Sequence, residues 1–422
     1  MKLTRIGFAL VAAALLLLVY GGSQPKAFHS GGVAECSGCH SMHTPDPNGT
    51  FLLVGATATA TCLSCHEHAG DTGPSSYHIS TATADMPAGV APLQRTPGGD
   101  FGWVKKSYTY TGGSESGDLH GHNIVATGYG YSVDANNATS PGGTFPSGQL
   151  GCQSCHDPHG QARRLANGTI VNTGQPIKAS GSYDAAGNEP TATEAVGVYR
   201  LLAGTLYSQA GTGISYPGVP AAKVPSTYNR TEAVTQTRTA YGRSTAGGHA
   251  AWGEWCGTCH GDMHSDGNYV HPVDTNLGSD VAINYQNYKK SGDLTGTSAT
   301  SYSSLVPFVE STDSYATLAS HAKIDDSVLT GPSPSDQVSC LSCHRAHASG
   351  MLHALRFDME YEFMTKESNY IGSDNPAVTG SRAPQQHRGR TIAEWRAAYY
   401  DRPATQFATY QRVLCNKCHA KD

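Results

Sequence analysis

The stretch CSGCHSMH, residues 36–43, decides how this chain is read. Cys36 and Cys39 frame two residues, His40 follows at once, and His43 comes three positions later. The same pattern recurs at Cys62/Cys65/His66, Cys152/Cys155/His156, Cys256/Cys259/His260, Cys340/Cys343/His344 and Cys415/Cys418/His419. These six pairs use all twelve cysteines, and every pair is followed directly by histidine. C-x-x-C-H is the attachment signature of c-type haem: two thiols add across the vinyl groups, and the adjacent histidine lies under the iron as proximal ligand. A redox C-x-x-C pair needs no following histidine, and zinc clusters bring their pairs together at closer intervals. Six motifs of six imply six covalently bound haem c groups.

The rest of the composition agrees. Only 38% of residues are hydrophobic and 14% are charged, while Gly alone counts 49. That is poor material for several packed cores, and it lacks the charge-rich character of disorder. Six apolar macrocycles would supply the missing core. The expected fold is a multihaem cytochrome c, mostly loops with few short helices and little strand. Tracts such as SPGGTFPSG (140–148) and GPSPSD (331–336) then read as turns around cofactors. A net charge of −5 gives no support to nucleic-acid binding. Twenty-two tyrosines could pack against porphyrins or line subunit contacts.

The chain opens MKLTRIGFALVAAALLLLVYGGSQPKA, a basic start, an apolar run and a polar stretch. It reads as a signal peptide over 1–27, cut between Ala27 and Phe28. The expectation is an exported protein, with 28–422 as a single hexahaem domain.

Each proximal histidine leaves the opposite face of its iron to a second ligand. An open face permits substrate binding, and a second strong ligand blocks it. Fourteen further histidines are available, so bis-histidine ligation is expected. His43, His159 and His347 each follow their proximal histidine by three, and His264 follows His260 by four. Side chains at such spacing project to one side of a helical turn, about 5 Å apart. Ligands on opposite faces of one haem need a wider gap, so these histidines serve another haem or none. His29, His78, His122, His271 and His321 are further distal candidates; His68, His120, His249, His353 and His387 rank below them. Near the C-terminus, Thr391 and Glu394 form a capping box that should start a helix. Pro403 should end it, and ATQFATYQRVLCNKC (404–418) suggests a second helix carrying the last motif.

AFHSGGVAEC, HAGDTGPSSYHIS, TPGGDFGWVKK, GHNIVA, CHDPHG, PSTYNRTEA, YKKSGDLTGT, HAKIDD, CLSCHRAHASG and YQRVLCNKCHAKD closely resemble the OmcS-type family. These are extracellular hexahaem cytochromes of metal-reducing bacteria that polymerise into conductive nanowires. The resemblance covers essentially the whole mature chain. It implies a mostly coil fold around a linear chain of six bis-histidine haems. The haems would alternate between stacked and T-shaped contacts and run on into the next subunit. It also implies that His43 ligates the haem on Cys340, Cys343 and His344 of the neighbour. Departures lie around 114–121, 244–250 and 351–390, so no ligand role carries over to His120, His249, His353 or His387.

The function so implied is electron transfer outside the cell, not enzymatic turnover. Partners would be identical subunits, redox cytochromes, and metal oxides or electrodes. Two other readings share the motifs: a monomeric shuttle in the periplasm or at the outer membrane, and a multihaem reductase of a small molecule. The regularity of all six motifs argues against the reductase.

Overall fold

The computed structural model describes residues 36–68, 70–172, 177–180, 183–184, 189–244, 246–265 and 271–419. The leader and its cleavage point lie outside them, as does His29. Among the described residues, no helix is long and apolar enough to cross a membrane.

Regular structure is sparse, and much of it serves the cysteine motifs. Helix α1 spans Cys36–Cys39 and α2 Ala58–His66; α3 is Trp252–Gly257 and α4 Gly261–Ser265. Then come α5 (Gly278–Asn287), α6 (Tyr315–His321), α7 (Cys340–Cys343), α8 (Ala383–His387), α9 (Ile392–Ala398) and α10 (Asn416–His419). Strands are two to four residues long. A three-stranded sheet joins β1 (Ala221–Lys223), β2 (Ala240–Gly242) and β3 (Val309–Glu310), antiparallel then parallel.

Local chemistry accounts for the helix ends. The Thr57 side chain accepts from Ala60 N–H at 3.0 Å and starts α2. The Thr391/Glu394 capping box starts α9 as the sequence predicts. Tyr400 and Asp401 turn left-handed (φ 59° and 60°) beyond it. The expected second helix does not form as one piece. Only Ala404–Gln406 makes a 3-10 turn before α10. Residues between them pair with another strand: Met364 N–H donates to Gln411 O and Val413 N–H to Glu362 O. Those tertiary bonds take the backbone groups a helix would need.

Apolar side chains gather in several separate clusters. The largest sets Trp103, Tyr285, Met351, Trp395 and Tyr399 together, and a second packs Trp252, Tyr199 and Tyr228 against the β1–β2–β3 sheet. Many of the tyrosines are thus core residues; Tyr370 and Tyr399 stack at 5.2 Å. Charged staples cross between distant segments. Asp401 accepts from Arg95 at 3.0 Å and Arg230 at 3.1 Å, and Arg345 meets Glu232 at 3.4 Å.

Asp358, 7% exposed, makes the fold pH-sensitive. Burial lifts its carboxyl to about 6, against the pull of Arg388 and Arg390. A native pKa above the unfolded value stabilises fully below the unfolded pKa, and that contribution is lost as pH rises through the native one. The difference is about 2 kcal/mol between pH 4 and pH 7. Denaturant titrations should show the gap between wild type and Asp358→Asn changing by that amount across the window. A constant gap would refute the assignment.

Candidate metal centres

Each motif folds as a helical turn. The histidine N–H bonds the carbonyl of the first cysteine, at 2.8 Å for His40, 3.0 Å for His156, 3.1 Å for His260, 2.9 Å for His344 and 3.1 Å for His419. The turn puts both cysteines on one side. All twelve thiols are free of disulfides.

Backbone carbonyls orient the proximal rings. Nδ1 of His40 donates to Phe51 O (2.9 Å), of His66 to Tyr77 O (2.9 Å) and of His156 to Arg200 O (2.8 Å). His260 donates likewise to Pro141 O (2.8 Å) and His344 to His353 O (2.7 Å). A carbonyl only accepts, so Nδ1 carries the proton and Nε2 keeps its lone pair for iron. Pro141 lies in the glycine-rich 140–148 tract, which is therefore a turn built around a centre. A Cβ on Gly143 would come within 1.9 Å of Cys259 O, so only glycine fits there.

The first, third and fifth centres share a strap that sequence reading missed. Phe51–Leu52, Arg200–Leu201 and His353–Ala354 are consecutive left-handed pairs, with φ between 50° and 59°. Each pair places a carbonyl under the proximal ring, and the next leucine bridges back to it: His40 with Leu53, His156 with Leu202, His344 with Leu355. The flanking bonds repeat as well. Ser41 N–H donates to Leu52 O, Asp157 N–H to Leu201 O and Arg345 N–H to Ala354 O. Left-handed backbone at a non-glycine residue costs roughly 1–2 kcal/mol, so threefold recurrence marks one device. The only sequence signal is the weak likeness of FLL, RLL and HAL.

Among the described residues, four proximal rings face a second histidine. His40 faces His159 at 6.4 Å between ring centres, and His156 faces His347 at 6.4 Å. His260 faces His122 at 6.0 Å, and His419 faces His271 at 6.2 Å. A metal bound by two imidazoles at about 2.0–2.1 Å per bond, each nitrogen about 1.1 Å from its ring centre, separates the centres by roughly 6.3 Å. The observed spacings match an iron held between each pair. His122 donates from Nδ1 to Ala346 O at 2.7 Å, and His347 to Gly99 O at 3.2 Å, again leaving Nε2 free. Burial pushes the His347 pKa down to about 3, which keeps the ring in its neutral, ligating form.

The remaining candidates sit elsewhere. His43 is exposed beside Met42, which is 79% exposed. His78 stacks on His68 at 4.9 Å, with Nδ1 3.6 Å from Asp71. His264 Nε2 lies 3.3 Å from Asp274, and His321 Nδ1 2.6 Å from Glu310. His120 uses both ring nitrogens, on Trp103 O and Glu115, and His249 uses both on Val219 O and Gly168 O.

Buried cations also fit haem. Arg356 (2% exposed) bonds only Leu341 O, His344 O and Ser304 O. Lys417 Nζ donates to Tyr285 O and Tyr288 O and lies over the Tyr285 ring, and burial drives its pKa down to about 7. Neither has a carboxylate partner among the described residues. A haem brings two propionates, the anions that buried charges of this kind require.

The centres form a line in sequence order. Cys39 lies near Cys62 and Cys65, Cys62 near Cys152, and Cys155 near Cys259. Cys256 lies near Cys340, and Cys343 near Cys418 and Cys415. The closely placed pairs, Cys62 with Cys152 and Cys256 with Cys340, fall at every second junction, so the line has a period of two centres. The ligand pattern shares that period. His159 of the third motif faces the first centre, and His347 of the fifth faces the third.

No family model matches the chain. It is 52% identical over 446 aligned residues to the C-type cytochrome OmcS of Geobacter sulfurreducens, covering 99% of each. Two solved structures are similar, an outer membrane cytochrome S filament and the OmcS nanowires of the same organism. Each is 52% identical with a TM-score of 0.84, covering 94% of this chain and 100% of the other.

Proposed function

The chain belongs to the OmcS family of c-type cytochromes, and from that premise we propose that it conducts electrons outside the cell as a filament of identical subunits. Six covalently attached haems supply the one-electron chemistry. The chain's own residues make it a conduit. Twelve cysteines fix the six centres in line, and His40, His66, His156, His260, His344 and His419 hold the irons from one side. His159, His347, His122 and His271 close the first, third, fourth and sixth centres from the other. Closed centres pass electrons and bind no substrate, so the protein is an electron carrier with no enzymatic pocket. His29 is left for the second centre. His78, His264 and His321 act as hydrogen-bonding residues.

One observation carries the filament reading: the ligand relay. The histidine three after a proximal one reaches back two centres, from third to first and from fifth to third. Continued by one step, His43 closes the fifth centre of a neighbouring subunit. Its surroundings suit a second copy, since Met42, Phe51 and Leu52 are 79%, 78% and 50% exposed. After removal of 1–27, residues 28–422 act as one unit. Redox cytochromes would feed it, and metal oxides or electrodes would accept from it.

His43→Ala should abolish filaments in electron micrographs and sedimentation while all six haems stay attached. Intact filaments would sink the relay and favour a monomeric shuttle with a fortuitously exposed histidine.

A further inference from the structure

The relay leaves one centre in every assembly without its donor: the fifth centre of the last subunit, or of a free monomer. Among the described residues, no other histidine is placed to substitute. His353 cannot, because its own carbonyl accepts from the proximal His344, which fixes it on the wrong side of the ring. His120, fully buried, and His249 have both ring nitrogens engaged. His321 is held by Glu310, itself paired with Arg238 at 2.8 Å, and His264 lies against Asp274. His78 is held between His68, Asp71 and Ser76. His387 accepts from Gly389 N–H at 3.0 Å, on a helix of its own. His122, His159, His271 and His347 already face other proximal rings.

We propose that the fifth centre of a subunit without a neighbour is a binding site for small iron ligands such as imidazole and cyanide, and that imidazole caps filament ends. The inference rests on His43 as the donor. Imidazole presents the same nitrogen His43 presents, so it competes for one position. Occupancy then shifts the assembly equilibrium by mass action. Centres whose facing histidine comes from the same chain are spared. Their distal histidines are tethered at high effective concentration, so a free ligand displaces them poorly.

The test uses purified holoprotein in two forms. His43→Ala protein should show one high-spin iron in six by electron paramagnetic resonance, converted to low spin by added imidazole or cyanide with a stoichiometry of one per subunit. Wild-type filaments should bind little cyanide when long, and uptake should rise in proportion to the number of ends after sonication. Subunits assembled with imidazole present should give shorter filaments. A monomeric variant with six low-spin irons and no ligand uptake would overturn the inference while leaving His43 as the polymer link. A variant that still forms filaments would instead overturn the His43 reading. Should the variant fail to fold, the sonication series decides alone, and uptake independent of the number of ends refutes the site.

Discussion

Made without haem attachment, this chain is expected to stay unfolded. Its buried apolar residues fall into separate clusters, one of them as small as Ala162, Val198 and Val219 with Ile170 beside them. The helices that carry the motifs span only four to nine residues, well short of the roughly 12–15 at which an isolated helix becomes marginal in water. Nor does the lone Thr57 cap offset that. Emptying a core position of one Phe or Trp costs about 3–5 kcal/mol, and a macrocycle is larger than either. Six such losses exceed the roughly 5–15 kcal/mol of net stability a domain holds. Arg356 and Lys417 would add buried charge with no anion to meet it. Chain expressed without haem maturation should give a coil-like far-ultraviolet spectrum, rapid proteolysis and no cooperative melt, where holoprotein gives a sharp one. A cooperative transition in the haem-free chain would refute this.

The sequence carried the centres but not their wiring, for a physical reason. C-x-x-C-H is a local device, complete within five residues, and the structure folds each copy as a single turn. The histidine that faces each proximal ring comes from far along the chain. His40 meets His159 and His419 meets His271 only because the thiol line brings their segments together. Spacing therefore excludes His159 from its own haem without saying which proximal ring it faces. His78 and His122 looked alike in sequence, each a lone histidine in a polar loop. What separates them is a neighbour: His122 faces His260, whereas His78 faces His68. The straps were harder still, because the left-handed pair at Arg200–Leu201 lies 44 residues beyond His156 and that at Phe51–Leu52 only 11 beyond His40. No fixed spacing existed to find. The capping box at Thr391 held because it is local; the helix foreseen after Pro403 failed because 362–364 claimed its backbone.

His347 belongs to the fifth motif, yet its replacement by alanine is expected to alter the third haem. The ring sits 6.4 Å from His156, stacks on Phe101 at 4.5 Å, and is aimed by Gly99 O. Its backbone is fixed independently, with His347 N–H on Gly98 O at 2.7 Å and its carbonyl receiving His122 N–H at 2.9 Å. His347→Ala should thus keep the loop and lose the ligand. One iron in six should become high spin, with the change at the haem on Cys152 and Cys155. Loss of a strong nitrogen ligand raises that centre's potential. A single site more oxidising than its neighbours holds an electron about tenfold longer for every 59 mV. Because the centres form one line, an electron cannot bypass the trap, and filament conductance should fall by orders of magnitude while filaments persist. Assembly survives because neither His43 nor the fifth centre is touched. His264→Ala is the matched control: it sits four residues after a proximal histidine, faces only Asp274, and should leave six low-spin irons. Spectroelectrochemical titration with electron paramagnetic resonance separates the outcomes. A change at the fifth haem, or none at all, would show that the histidines do not reach back two centres, and the claim that His43 does so between subunits would fall with it.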